Sequence, residues 1–382
     1  MRTADVLIVG GGCVGASAAY HLAAAGAGSV LLLDRAEDLG TGSTAAAAGG
    51  FRHQFGSEVN VRLSLASIPM LTRFEEEHGL PLDVDQDGYL LLVRDETAWE
   101  GFRAAAEMQR GLGARVDLLT GPEAAELVPG LMVEDVVGAT FGPDDGIADT
   151  SGLTHGYATL ARRSGAEIKT GAEVVELLTE GDRVAGARTG AGEEIRAGAV
   201  VNAAGPWAGL VAATAGVELP LDPIPRNVVV TGPFAGAPER RTLVVDTPTS
   251  FYFHREGPGV LMGMGSSDER PSFDTTVDQA FVAEEILPTA MRTFPPIEEA
   301  GIEHTWCGLY EMTPDRHPII GEAIPGLYLA NGFSGHGFQH SPIVGKLLAE
   351  MIVDGAASTV DVSSLSLDRF ERGRPVVETH VI

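Results

Sequence analysis

Residues 5–34 read DVLIVGGGCVGASAAYHLAAAGAGSVLLLD, and the reading of this stretch decides the fold. Asp5 to Val9 is a short β-branched and leucine run, too short to compete as a helix, and predicts a buried central strand. From Cys13 to Ala25 the alanine content, the lack of proline and the stop at Gly26 predict a helix. Ser29 to Leu33 repeats the buried-strand pattern and ends on Asp34. Together they make a βαβ unit. Gly10 allows a tight turn, Gly12 a close approach of backbone to a pyrophosphate, and Gly15 close packing of helix on strand. The pyrophosphate would sit on the helix N-terminus, where unpaired N–H groups and the positive dipole end favour an anion. Asp34, nineteen residues after Gly15, is spaced to accept hydrogen bonds from ribose hydroxyls. A bare Gly-x-Gly-x-x-Gly in a glycine-rich chain is an ordinary loop as readily as a binding site. The flanking strand, helix and acid favour a dinucleotide, but leave NAD and FAD equally open.

The rest of the chain bounds that reading. Its 382 residues suffice for two or three domains, and 44% hydrophobic content with both charge signs is that of a globular enzyme. The formal net charge is −27, which repels phosphate backbones, so neither nucleic acid nor an anionic membrane is an expected partner. Cys13 and Cys307 make no disulfide framework and no metal-ligand spacing, so no metal is expected and a reducing cytoplasm is the simplest home. The uncharged stretches Val6 to Val30 and Ala197 to Val217 are broken by glycine, His21 and Pro206, which argues against an export signal and a membrane span.

Along the chain, GTGSTAAAAGGFRHQF (residues 40–55) reads as a small-residue loop that lets backbone and hydroxyls approach a ligand, ending in a site wall of Phe51, Arg52, His53 and Phe55. An amphipathic helix from Asn60 to His78, kinked at Pro69, follows, then a strand over Gly88 to Val93 and a helix over Glu96 to Leu112. FGPDDGIAD (141–149) marks a return between domains. A helix over 151–164, a strand over 167–170, a hairpin over 173–189 and the buried strand of AVVNAAGPWA (199–208) fit as later parts of the opening sheet. Pro220 to Pro225 reads as a crossover. Residues 221–319 are β-rich, with SFYFHR (250–255) and VLMGMG (260–265) paired and one helix near 279–294. Near the C-terminus a strand (327–330), a glycine loop (331–338) and a helix (342–353) repeat the arrangement that cradles negative charge. The expected architecture is α/β: a discontinuous Rossmann-like dinucleotide-binding domain (1–85, 145–220 and 320–382) and an α+β substrate domain on an antiparallel sheet (86–144 and 221–319).

Five landmarks, VGGGCVGASAAYHLA, GSTAAAAGGFRHQF, VVNAAGPWA, WCGLYEMTPDRHPIIG and NGFSGHGFQHSP, resemble the glycine and D-amino-acid oxidase superfamily of FAD enzymes over nearly the whole chain. GGFRHQF and GYLLLV look most like its sarcosine oxidase β-subunit, dimethylglycine dehydrogenase and proline dehydrogenase branches. The resemblance implies hydride removal from a carbon beside an amine nitrogen and hydrolysis of the resulting imine, with oxygen or another electron acceptor. The cofactor would be held by Gly10, Gly12, Cys13, Val14 and Gly15, by Asp34 and Arg35, and by Gly42, Ser43, Thr44 and Gly50. Val174, Ala204, Gly205 and Trp207 would join them, with Gly308, Gly332, Ser334, Gly335, His336, Gly337, Phe338 and Gln339 at the flavin end.

By the same resemblance Arg52 would hold a substrate carboxylate, a task that suits a planar guanidinium; the competing reading is a structural salt bridge. Tyr252 and Tyr310 would wall the substrate or simply fill core, and His53 and His336 are weaker candidates for catalysis or packing. Three departures matter. Gly308 stands where monomeric sarcosine oxidases attach FAD through cysteine, and Cys307 lies one residue away, so non-covalent FAD is expected. Gln339 replaces a lysine beside the carboxylate. Gly263 falls at or near the place of an oxygen-activating lysine, which keeps a dehydrogenase open beside an oxidase. The reading is an FAD enzyme acting on a small amino acid such as sarcosine, dimethylglycine, proline or a D-amino acid. Its rivals are an FAD-bearing subunit of a heteromeric dehydrogenase and an NAD-dependent dehydrogenase, with homo- or hetero-oligomers both open.

Overall fold

The structure is a computed structural model, and it describes residues 2–266, 268, 270–373, 375 and 377–380. Its first sheet grows outward from the opening strand, Arg2–Val9. That strand pairs in parallel with Val30–Leu33 on one side and Glu194–Asn202 on the other. Val30–Leu33 continues in parallel to Glu167–Lys169, and the end of Glu194–Asn202 continues in parallel to Leu327–Asn331. The start of Glu194–Asn202 pairs antiparallel with Arg183–Thr189, which forms a hairpin with Val174–Glu180. Ile319–Ile324 adds an antiparallel edge beside Leu327–Asn331. Leu7, Ile8, Leu32, Val200 and Val201 are all fully buried, because both faces of the parallel sheet are covered. That is why its strands read as continuous apolar runs. One cover is the helix Cys13–Ala24, which packs against the helices Thr150–Arg163 and Gly337–Ala349.

The second sheet has eight strands, in the order Ile302–Met312, Asp222–Thr231, Gly259–Gly263, Phe251–Glu256, Leu243–Asp246, Tyr89–Val93, Gly138–Gly142, Asp117–Leu119. It is antiparallel but for one pair: Leu243–Asp246 runs parallel to Tyr89–Val93. The helical run from Gln279 to Thr293 packs Val282, Ile286 and Ala290 against Phe251 and Phe253 of this sheet. A small three-stranded sheet of Gly50–Phe51, Gly146–Ala148 and Val84–Asp85 lies where the chain passes from one large sheet to the other. We propose the two large sheets as two domains divided as the sequence suggests. Every strand of the second lies within 86–144 or 221–319, and only Ile319 of the first oversteps its boundary.

Several elements depart from the sequence reading. The helix after the second glycine loop begins at Gly337, not Pro342, and Pro342 sits inside it. Proline there removes the N–H that would bond Phe338, and the Ser341 hydroxyl donates to the Phe338 carbonyl instead, at 2.8 Å. The helix over 58–72 runs through Pro69 and breaks at Arg73, after which Phe74–His78 forms a separate short helix. Pro220 to Pro225 is not wholly a crossover, since the strand already begins at Asp222. Pro223 and Pro225 fit because that part of the strand pairs only with Ile302–Met312; its other neighbour joins at Val228. The four-residue strand Leu243–Asp246 and the three-residue strand Asp117–Leu119 are too short to carry a periodic signal.

Candidate active site

A single cavity of about 1160 Å³ is lined by residues of both large sheets, from Asp34 and Arg35 at one end to Tyr252, Tyr310 and Gln339 at the other. Its floor is the opening turn. Gly10 has φ +106°, and a Cβ there would collide with the Ala203 carbonyl; a Cβ on Gly15 would collide with the carbonyl of Gly10. Gly15 therefore serves packing alone and does not line the cavity. The N-cap residue of the helix that starts at Cys13, Gly12, has no side chain to cap it, and no acid lies in its first turn. Asp34 accepts from the N–H groups of Gly11 at 2.6 Å and Ala36 at 2.7 Å, which fixes its carboxylate at the cavity wall with lone pairs to spare. The guanidinium of Arg35 stacks on Trp207, 3.6 Å from the ring centroid.

The small-residue loop is partly helical, over Ser43–Ala46. Its hydroxyls hold protein as well as facing the cavity: Thr44 accepts from the Cys13 N–H at 3.2 Å, and Ser43 donates to the Leu309 carbonyl at 2.6 Å. Gly42, Gly50, Val174, Ala204, Gly205 and Gly308 line the same space, as do Gly12, Cys13 and Val14.

The far end is formed by the second glycine loop and by one face of the second sheet. Gly335, His336, Gly337, Phe338 and Gln339 line it, and the helix Gly337–Ala349 has no side-chain cap. The ring of Tyr310 lies where a Cβ of Gly335 would be, with Cε2 at 2.6 Å, so the glycine makes room for the tyrosine. Gly332 and Ser334 do not line the cavity. Ser334 is left-handed, with φ 51°, and is held by the Glu311 and Gly332 carbonyls and the Thr313 N–H, so both residues shape the loop from behind.

Arg52 lies in the cavity wall, 3% exposed, with its guanidinium 4.1 Å from the Phe55 ring. It donates to the carbonyls of Gln54 and His380, and among the described residues no carboxylate pairs with it. The structural salt bridge that competed for Arg52 is absent from its described partners. Gln339 does not reach toward a ligand. Its amide oxygen accepts from the Arg52 N–H at 3.0 Å and its amide nitrogen donates to the Arg52 carbonyl at 3.2 Å, so it positions the arginine backbone. His53 stands outside the cavity and is taken up by Asp145, with Nδ1 2.7 Å from the carboxylate and its backbone N–H 2.9 Å from the same oxygen. His336 is buried edge-on to Phe55 with no partner for Nδ1, and burial, reinforced by the charge of Arg52, holds its pKa well below the usual value.

Sequence reading missed three polar residues here. Tyr89 and Arg226 line the cavity from the second sheet, Arg226 lying 4.8 Å from the Tyr310 ring. Glu311 lines it from the strand Ile302–Met312, and burial pushes its carboxyl up to about 7. A carboxylate between Leu309, Tyr310 and Met312 was the available signal. The TPDRHPIIG landmark is largely structural: Asp315 is buried in a bidentate pair with Arg369, at 2.8 and 3.0 Å.

A Rossmann-type sheet and a second glycine loop opening on one long cavity define a dinucleotide-dependent redox enzyme of two-domain build. The chain belongs to the family described as FAD dependent oxidoreductase (DAO), which matches residues 5–351. It is 31% identical to FAD-dependent oxidoreductase domain-containing protein 1 of Xenopus laevis, over 99% of this chain and 85% of that protein. It is 32% identical to human mitochondrial dimethylglycine dehydrogenase, over 92% of this chain but 43% of that protein. Among solved structures, L-proline dehydrogenase from P. horikoshii superposes with TM-score 0.90 and 33% identity, covering 97% of this chain and 99% of that one. The protein is an FAD-dependent oxidoreductase, and NAD is set aside. The residues fit that cofactor: two helix N-termini whose N-cap residues, Gly12 and His336, supply no capping side chain, the glycine turn Gly10–Gly12, and a ribose-spaced acid all line one continuous space. Among the described residues no cluster fits a metal ion, and no helix is long and apolar enough to cross a membrane.

Proposed function

We propose that this enzyme oxidises the carbon–nitrogen bond of a small amino acid, an N-methylated glycine, proline or a similar compound, bound through its carboxylate to Arg52. The observation that carries this reading is the buried Arg52 cation, a residue of the cavity lining with no described counter-charge, whose backbone Gln339 fixes. Burying an unpaired charge is costly, so an anionic ligand completes the site. Tyr89, Tyr252 and Tyr310 share this end of the cavity, and burial raises the pKa of Tyr89 and Tyr252, so their hydroxyls remain protonated donors. Bound FAD supplies the hydride acceptor. The chain's own part is to hold the carboxylate, orient the amine-bearing carbon and exclude water with the aromatic wall.

We further propose non-covalent FAD and an acceptor other than oxygen. A Cβ at position 308 would lie 2.6 Å from the Ala46 methyl, so a flavin-linking side chain has no room there. A Cβ at Gly263 would run into the Tyr252 hydroxyl, and neither Lys169 nor Lys346 lines the cavity. Anaerobic mixing with a panel of amino acids and N-methyl amino acids is expected to bleach the flavin absorbance. A panel-wide failure to bleach sinks the substrate assignment. Reoxidation of the bleached enzyme should then be slow with oxygen and fast with an artificial dye, and the reverse order would make it an oxidase.

A further inference from the structure

Among the described residues that line the cofactor cavity, Glu311 is a carboxyl whose hydrogen bonding is half complete. Its strand and the second glycine loop are joined twice: the Phe333 N–H donates to Glu311 Oε1 at 3.3 Å, and the Ser334 N–H donates to the Glu311 backbone carbonyl at 3.1 Å. The side chain is thereby fixed. Its other oxygen, Oε2, is buried with no partner, and a Cβ on Gly205, on the facing turn, would lie 3.9 Å from it. Gly205 and Glu311 both line the cavity, together with the pyrophosphate turn at Gly10–Cys13 and the flavin-end loop at Gly335–Phe338. A buried orphan oxygen is costly unless a ligand satisfies it.

We propose that Glu311 is a cofactor-binding acid, which binds FAD as the neutral carboxyl and donates a hydrogen bond from Oε2 to an acceptor oxygen of the cofactor's ribityl–pyrophosphate segment. An ionised carboxylate could only accept, and it would repel the pyrophosphate. Burial already favours the neutral form in the protein alone, with the carboxyl pushed up to about 7. The titratable and charged groups on the elements around it include Cys13 on the opening helix, His336 and His340 at the start of the C-terminal helix, Glu303, His304, Cys307 and Tyr310 on its own strand, and Asp222 and Arg226 on the paired strand. Burial raises the Cys13 thiol and lowers both histidines, so these three hold their neutral forms across the neutral range. Glu311 is then the group that takes up a proton as FAD binds.

The sign follows from linkage. The ionised protein must gain a proton to bind, so FAD affinity falls as pH rises through about 7. Apoprotein prepared from the holoenzyme should bind FAD about tenfold more weakly at pH 8 than at pH 6. Calorimetry in buffers of different ionisation enthalpy should show uptake of nearly one proton at pH 8. Glu311→Gln keeps the shape and a donor, so it should bind with little pH dependence and no net uptake. FAD release from intact holoenzyme, followed by flavin fluorescence, gives a measurement that needs neither apoprotein nor variant, and it should be faster at pH 8 than at pH 6. Affinity and release that are flat with pH in the unaltered enzyme overturn the proposal, and so does equal proton uptake by Glu311→Gln.

Discussion

Among single residues, Arg52 and Gln339 divide one task in the proposed carboxylate site. Arg52 presents the charge, and the paired backbone contacts of Gln339 at 3.0 and 3.2 Å fix where it is presented. A charge-assisted hydrogen bond from Arg52 to a substrate carboxylate is worth about 1.5–3 kcal/mol, roughly 10- to 150-fold in binding. Arg52→Ala should therefore raise KM for carboxylate substrates by that factor while changing KM for matched amines little. Equal effects on both remove the proposed role. Gln339→Ala leaves the charge in place but frees its backbone, so it should lower kcat as well as raise KM, and Gln339→Glu should not restore it because a carboxylate cannot donate to the Arg52 carbonyl. Glu378 acts on the same neighbourhood from the far end of the chain. It accepts from Gly56, Ser57 and Asn60, and those hydrogen bonds outweigh its burial and hold its pKa below the usual range. Its stabilisation is present above the ordinary glutamate pKa and is lost as pH falls below it. Acid unfolding of Glu378→Gln should accordingly begin from a lower stability and show a shallower loss between pH 5 and pH 3 than the unaltered protein.

At the scale of elements, the opening βαβ unit was legible because everything that specifies it is local. Gly10, Gly15 and Asp34 act on neighbours within the same 30-residue stretch or on the strand beside it. The residues misjudged are those whose partners lie far along the chain. His53 reads as a site histidine until Asp145, 92 positions away, claims both its ring and its backbone N–H. Glu311 reads as one more strand residue until the glycine loop 22 positions on donates to it. Tyr89 lies in a strand whose parallel neighbour, Leu243–Asp246, carries no pattern of its own. The helix at Gly337 shows how a sound rule fails: proline favours a first turn, but a serine one residue earlier can supply the missing donor. That substitution of hydroxyl for N–H is testable. Ser341 is fully buried, so Ser341→Ala should leave the Phe338 carbonyl short of a partner and cost about 1–3 kcal/mol in urea unfolding. A change below a few tenths of a kcal/mol would mean the proline is accommodated in another way.

At the scale of the whole molecule, the cofactor cavity is also the joint. Ser43 donates to the Leu309 carbonyl and the Trp306 indole donates to the Ala46 carbonyl at 3.1 Å, so the loop after Asp34 is tied to the second sheet. Phe273, beyond the second sheet's Gly259–Gly263 strand, stacks on Trp207 at 5.9 Å, and Trp207 in turn carries Arg35. The walls of the space proposed for FAD thus come from both sheets, and a ligand bound there stabilises both at once. A ligand that binds only the folded form adds RT ln(1 + [L]/Kd), about 2.7 kcal/mol at a hundredfold excess over Kd. For a chain of this length that is a rise of a few degrees in Tm. Calorimetry of apoprotein should show the whole unfolding endotherm moving upward with added FAD, as one transition. If the endotherm instead splits, with one part shifted by FAD and the other fixed, the two sheets unfold independently and the joint is not formed by the cofactor.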